Sequence, residues 1–401
     1  MKFYSHLNTA VHILEQYDAK MPFHHFIREY LKTDRKYGSR DRKNISRLCY
    51  AALRTGNAFP KWSFENRIRA GLFLCTHFSD PVTEQLLDDY NEVIQKSMVD
   101  KWNIINGAYQ DEMNNGSQEI PPISILFPVP VSEISKGVNP EKYLYSFFIQ
   151  PDLFLRIRPG MDEIVKKKLV AADLRFDLLQ PSAVRLPIST RLDEIFAPER
   201  QVVIQDYSSQ LTGDMLRKIE TPVKKVWDAC AASGGKSILA YDILGKIDLT
   251  VTDIRATMIH NLTKRFEEAG ISDFTSAVYD LTSDAHLPVN EEQDLIIADV
   301  PCSGSGTWSR TPEQLQQTDL KAIEGYQNLQ RRILTNLIPA IKPGGYLLLI
   351  TCSVFRKENE ENSEFVSSRL KLKKIAEQII PGYDEAADTM FTALFQKPFN
   401  S

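Results

Sequence analysis

At 401 residues the chain exceeds the roughly 250–300 at which a single hydrophobic core stops growing, so more than one folding unit is expected. Its 43% hydrophobic and 25% charged residues are near globular averages, and no apolar run approaches the roughly 20 residues of a membrane helix, which argues against a disordered or membrane-bound chain. The net charge of −4 hides an asymmetry, because residues 1–70 carry 14 Lys/Arg against 6 Asp/Glu, a surplus of +8 that leaves −12 for the remainder.

In chain order, MKFYSHLNTAVHILEQYDAK has neither an apolar export core nor a cleavage site, so a cytoplasmic location is expected. Apolar residues recur at three- and four-residue spacing in NTAVHILEQY, ISRLCYAALR and TEQLLDDYNEVIQKSM, predicting a helical domain over 1–100. Its basic residues gather in LKTDRKYGSRDRK and continue at Arg47, Arg54, Lys61, Arg67 and Arg69, a surface suited to phosphates or simply a solvated helical face. Residues 101–142, rich in Asn, Gly and Pro, read as a connector. LFLRIRP, MDEIVKKKLVAADL, AVRLPI and QVVIQDY then predict a small α/β subdomain over 143–220.

From residue 221 to 401 strands and helices alternate. VKKVWDAC, DLTVTDI, SAVYD, DLIIADV and GYLLLITCS are strand candidates, and the alternation predicts a doubly wound α/β sheet with its ligand crevice at the strands' carboxyl ends. The first strand runs into DACAASGGKS. A phosphate-binding Walker loop would need glycine where Cys230 stands, and the dinucleotide pattern GxGxxG is not met by Gly234 and Gly235. What remains is a tight turn of small residues, either an ordinary strand-to-helix turn or one whose backbone N–H groups receive a ligand. Asp253, at the second strand's end, suits the hydroxyls of a ribose, and Asp280 an adenine amino group, although each could merely cap the next helix. An adenosine-bearing ligand without a polyphosphate fits best, and S-adenosylmethionine is the expected cofactor.

The five cysteines (Cys49, Cys75, Cys230, Cys302, Cys352) are an odd number without a CxxC pair, so neither a disulfide framework nor a metal site is expected. Cys302 in DVPCSGSG and Cys352 in LLLITCSVF follow strands that can be neighbours. Two thiols facing one crevice suit methylation at carbon 5 of a pyrimidine, where a thiolate must first add to carbon 6. Asp299 could then serve N3 of the ring, while Pro301, Ser303, Gly304 and Gly306 make a stiff, narrow loop.

These segments resemble the Sun/Fmu-type RNA cytosine-5 methyltransferases of the RsmB/NOP family. DACAASGGKS is similar to that family's cofactor turn, QDYSSQL to its entry segment, DLIIADVPCSGSGTWSRTPE to its proline-cysteine motif and LLLITCSVFRKENEENSEFV to its threonine-cysteine motif. SRDRKNISRLCYAALR resembles the helical NusB-like RNA-binding domain of the bacterial members, so the likeness reaches across the chain. The resemblance implies a Rossmann-like class I methyltransferase domain, preceded by a helical NusB-like domain and a small α/β subdomain. It makes Cys352 the nucleophile and Cys302 the thiol that assists release. Cofactor contacts then fall to Cys230, Ala231, Ala232, Ser233, Gly234, Gly235, Lys236, Asp253, Asp280 and Asp299. The implied partner is RNA, 16S ribosomal RNA first, acted on by a monomer with no membrane or metal. Transfer RNA as substrate, or a non-catalytic RNA-binding assembly factor, are the alternatives. Ser233, Trp308, Ser309, Arg158 and ADTMFTALFQK depart from the family pattern without removing a reactive group.

Overall fold

The structure, a computed structural model, describes residues 2–33, 36–113, 121–180, 182–283, 286–289 and 291–399. Arg35 of the basic run, residues 114–120 of the expected connector and Asp284 of VYDLTSD lie outside these. The chain divides into two units. One comprises residues 1–132, 139–150 and 308–320; the other comprises 133–138, 151–307 and 321–401.

The first unit is helical: α1 (Lys2–Gln16), α2 (Phe23–Thr33), α3 (Ser39–Leu53), α4 (Phe64–Cys75), α5 (Pro81–Leu86), α6 (Met98–Glu112) and α7 (Pro140–Ser146). Local chemistry starts several of them. The side chains of Ser63, Asp80, Ser97 and Asn139 accept N–H groups from the first turns of α4 to α7, and proline opens α5 and α7. The beginning of the expected connector is in fact helix α6. Its Asn and Gly residues look like loop signals, but Trp102 and Ile105 form a buried stripe, and buried Asn106 donates to the Trp102 carbonyl at 2.8 Å inside the helix.

The second unit holds two sheets. The smaller is antiparallel in the order β2 (Asp177–Leu179), β3 (Ala183–Leu186), β1 (Leu153–Ile157), β4 (Val202–Ile204), and helix α8 (Asp162–Ala171) buries Val165 and Leu169 in its core. Two short helices, α9 (Tyr207–Leu211) and α10 (Gly213–Leu216), lead into the larger sheet. There β5 (Lys225–Asp228), α11 (Gly235–Leu244), β6 (Asp248–Asp253), α12 (Ala256–Ala269), β7 (Phe274–Val278) and β8 (Gln293–Asp299) follow in turn. A short helix of the first unit, α13 (Gln314–Gln317), intervenes. It is followed by α14 (Leu320–Leu337), β9 (Ile341–Thr351), α15 (Glu360–Ser368), β10 (Lys373–Pro381) and β11 (Thr389–Gln396).

The seven strands lie in the order β10-β11-β9-β8-β5-β6-β7, with β9 to β7 parallel and the β10–β11 hairpin antiparallel. This is the Rossmann-like doubly wound sheet expected from the alternation. The chain runs outward from β5 through β6 and β7, then resumes on β5's other side with β8 and β9, which leaves a crevice at the strand ends between β5 and β8. Both faces of the central strands are buried, and neighbours alternate between two cores. Val226, Leu295, Ile297, Leu348 and Ile350 point to one; Trp227, Ile296, Ala298, Leu347 and Leu349 point to the other. The terminal hairpin was not read from sequence, because β11, buried along TMFTALF, has no polar alternation to mark it as a strand.

Phe266 of α12 meets Phe274 of β7 edge to face, with centroids 4.9 Å apart, and closes over Gly234, where a Cβ would lie 2.6 Å from its ring. Phe266→Ala should therefore cost about 3–5 kcal/mol, read as a lower urea midpoint by tryptophan fluorescence.

Candidate active site

Strand β5 ends in the fully buried Asp228, and residues 229–234 turn the chain into α11. The turn takes positive φ at Ala232 (46°) and Gly234 (84°). Two N–H groups fix it to the next strand: Ala231 donates to the Thr252 carbonyl (2.8 Å) and Ala232 to Asp253 Oδ2 (3.0 Å). Ser233, standing where the family pattern has proline, accepts Arg265 on both its carbonyl (2.8 Å) and its hydroxyl (2.9 Å). Beside Gly235 there is open space, with nothing within 4 Å of where a Cβ would be. Burial, reinforced by the neighbouring carboxylates of Asp228, Asp299 and Asp253, pushes the Cys230 thiol well up, so it remains protonated.

Asp253, at the end of β6, is 6% exposed. Burial pushes its carboxyl up, but hydrogen bonds from the Arg255 guanidinium and N–H and from Ala232 prevail and hold it below its usual value. The Arg255 side chain is 55% exposed, so a ligand hydroxyl can displace it from this acid. Asp280 is exposed, and its Oδ1 accepts the Thr282 N–H (2.8 Å) and hydroxyl (2.7 Å). Asp299, at the end of β8, accepts Lys236 Nζ at 3.0 Å, and the same ammonium donates to Ser209 Oγ at 2.8 Å.

Cys302 and Cys352 come together with their sulfurs 3.3 Å apart. The hydrogen bond to Cys352 and burial push the Cys302 thiol well up, so Cys302 is protonated. Asp299, Cys302 and Cys352 thus lie at the carboxyl ends of two adjacent parallel strands, next to the strand that carries the small-residue turn.

The family described as 16S rRNA methyltransferase RsmB/F matches residues 218–395. Residues 218–395 are therefore similar to the RsmB/F methyltransferases. Over 192 residues the chain is 30% identical to the ribosomal RNA small subunit methyltransferase B of Xanthomonas campestris, covering 47% of this chain and 43% of that one. Over 152 residues it is 31% identical to the mouse tRNA (cytosine(72)-C(5))-methyltransferase NSUN6, covering 35% and 31%. The aligned stretch spans less than half the length of these relatives. The fold is similar to the crystal structure of PH0851, with TM-score 0.68, 18% identity and 97% of each chain covered.

In this RsmB/F-type domain the structure adds residues that sequence reasoning missed. Glu358 and Asn359, in the polar run KENEEN that follows the threonine-cysteine pair, are fully buried between the two cysteine loops. Arg158, another departure from the family pattern, pairs with Asp242 (2.8 Å), which Arg156 shares. Trp308, one of the departures from the family pattern, is fully buried and packs on Phe127 within the helical unit, centroids 5.8 Å apart. Much of the basic surplus is likewise spent internally. Arg47 binds Asp80 and Thr76, Arg54 is buried on the Phe147 carbonyl, Arg67 binds Thr55 and the Gly56 carbonyl, and Arg69 binds Glu65 and the Leu86 carbonyl. Lys36, Arg40, Lys43 and Lys61 remain exposed. Among the described residues no helix is long and apolar enough to cross a membrane.

Asp228 gives the RsmB/F-type domain a measurable pH dependence. Its Oδ2 accepts Ser237 Oγ (2.6 Å), and its buried Oδ1 has no hydrogen-bond partner among the described residues. Burial pushes the carboxyl up to about 7. An unfolded chain releases this proton near pH 4, so the folded state binds the extra proton between about 4 and 7 and loses stability as pH rises through that window, levelling off above it. The melting temperature should fall between pH 5 and pH 8, and Asp228→Asn should remove part of that fall, worth on the order of 2–3 kcal/mol.

Proposed function

We propose that this protein transfers a methyl group from S-adenosylmethionine to carbon 5 of a cytosine in RNA, with 16S ribosomal RNA as the first candidate. The observation that carries this reading is the pair of thiols 3.3 Å apart beside Asp299 at the mouth of the crevice. The residues present suit the cofactor: a turn of small residues bordering open space at Gly235, a buried acid at Asp253 released by an exposed arginine, and Lys236 with Asp299 at the next strand end. When bound, S-adenosylmethionine supplies the electrophilic methyl group. Cys230 to Lys236 would cradle it, Asp253 would take the ribose hydroxyls, and Asp280 would reach the adenine by turning from Thr282.

In this mechanism the Cys352 thiolate adds to carbon 6, and the ring electrons it displaces make carbon 5 nucleophilic. Asp299 meets N3, with the Lys236 ammonium behind it as the source of the proton that stabilises the enamine. Once carbon 5 is methylated its proton must leave, so that the electrons of that C–H bond restore the double bond and expel the Cys352 sulfur. Cys302 is held protonated chiefly by its bond to Cys352. When Cys352 is covalently attached to the base that bond is gone; Cys302 would pass its proton to water and, as the thiolate, take the carbon 5 proton while the N3 proton returns through Asp299 to Lys236. The helical unit would supply the RNA contact in the manner of a NusB-like domain, through Lys36, Arg40, Lys43 and Lys61 rather than the arginines spent internally.

The test is Cys302→Ala incubated with S-adenosylmethionine and bacterial RNA and run on a denaturing gel. An RNA–protein adduct should accumulate and vanish in Cys302→Ala/Cys352→Ala, and sequencing the trapped RNA distinguishes ribosomal from transfer RNA. Retention of full turnover by Cys352→Ala would sink the assignment. Cofactor binding without adduct or turnover on any RNA or subunit would instead favour an assembly factor.

A further inference from the structure

The two cysteines share a feature beyond their strands: each is followed by serine, Ser303 after Cys302 and Ser353 after Cys352. Both serines converge on one carboxylate. Glu358 Oε2 accepts the hydroxyls of Ser303 and Ser353, and its Oε1 accepts the Ser303 N–H at 2.8 Å and Gln330 Nε2 at 3.0 Å. Gln330 in turn donates to the Pro301 carbonyl at 2.9 Å, so the residues on both sides of Cys302 are tied to the same point. Glu358 is fully buried, and these four partners are neutral. Burial pushes its carboxyl up against the opposing effect of the hydrogen bonds.

A buried acid with no cation bonded to it among the described residues is costly to keep, and neutral side chains could fill the same space. What it provides is a multiple acceptor that can hold donors from two loops and a helix at once. We propose that Glu358 is a positioning residue that fixes the spacing of the Cys302 and Cys352 thiols by clamping together the residues that follow them. Other contacts join the loops: the Gly306 N–H to the Cys352 carbonyl at 2.9 Å, the Val354 N–H to Ser305 Oγ at 2.9 Å, and the Ser303 and Ser305 hydroxyls to that of Ser353 at 3.3 and 3.2 Å. Glu358 alone holds Ser303, Ser353 and Gln330 on one carboxylate. Its neighbour Asn359 completes the hold on the second loop, accepting the Thr351 hydroxyl at 2.6 Å and donating to the Ser353 carbonyl at 2.8 Å.

The kinetic part of the test rests on the methyltransferase reading; the thiol-spacing part does not. Dibromobimane fluoresces only when both its arms react, so it reports two thiols within its short span, with Cys352→Ala as the blank. Glu358→Met keeps the side chain's length but removes every acceptor, whereas Glu358→Gln keeps an oxygen for the Ser303 N–H and Gln330 and an amide that the serine hydroxyls can accept. Bridging should be fast in the wild type, several-fold slower in Glu358→Met and largely restored in Glu358→Gln. In the same order, kcat should fall about 10- to 100-fold and recover, with KM for the cofactor unchanged. Wild-type bridging and kcat in Glu358→Met would overturn the proposal, as would a Glu358→Gln no better than Glu358→Met. Should Glu358→Met not fold, Ser353→Ala, which removes one arm of the clamp, decides the matter by the same readings. A wild type whose thiols bridge but which methylates no RNA would sink the methyltransferase reading and leave the clamp standing.

Discussion

Parallel pairing of β8 with β9 is the constraint on which the site depends. Its register places Asp299 opposite Ile350, and the Val300 N–H continues the ladder to the Ile350 carbonyl at 3.1 Å. Cys302 lies three residues beyond Asp299 and Cys352 two beyond Ile350, so the two thiols leave the sheet side by side. A slip of one residue would exchange the two faces, sending Ile297 and Leu348 into the opposite core and parting the sulfurs. The apolar residues on both faces therefore do more than stabilise the sheet. They select the register that brings Cys302 and Cys352 together.

Around that register the protein keeps an unusual amount of buried polarity. Asp228, Glu358, and the Arg156–Asp242–Arg158 group are all removed from water, and each would cost stability if left unpaired. Where partners are complete, as at Glu358, the network specifies one arrangement of the loops. Asp228 is not completely paired, and it responds by holding its proton to about 7. Burial thus pushes both acids up within one domain; at Glu358 four neutral donors oppose it, whereas at Asp228 the Ser237 hydroxyl is the one hydrogen-bond donor among the described residues.

Much of this was legible in the sequence, for physical reasons that differ by residue. Cys302, Cys352, Asp299 and Asp253 could be found because each ends an apolar run, and in an alternating α/β chain the ends of such runs gather at one edge of the sheet. Glu358 could not. Within KENEEN it looks like one of several solvated charges, and only the return of the chain over β9 shows that it faces inward. Arg54 and Arg67 were miscounted in the same way: a basic residue on a helix carries no sign in sequence of whether its donors meet phosphates or the carbonyls of its own unit. The end of the chain was opaque for the opposite reason, since a strand buried on both faces lacks the alternation by which strands are recognised.

The small sheet has a place in this arrangement that its size does not suggest. From Arg156 on β1, Nε donates to Gln205 Oε1 (2.8 Å), Gln205 Nε2 donates to Ser209 Oγ (3.1 Å), Ser209 Oγ accepts Lys236 Nζ, and Lys236 reaches Asp299. Donors reach Ser209 Oγ from both sides, from Gln205 and from Lys236, and the same Lys236 ammonium donates onward to the carboxylate at the mouth of the crevice. Arg156 is itself anchored by Asp242 of α11, the helix that Lys236 helps to begin. The ring so closed runs from small sheet to helix to turn and back, and it leaves Lys236 little freedom to leave Asp299. A flexible lysine would otherwise sample many rotamers; here the small sheet pre-orients its ammonium, so the entropy of holding that charge beside Asp299 is spent in folding.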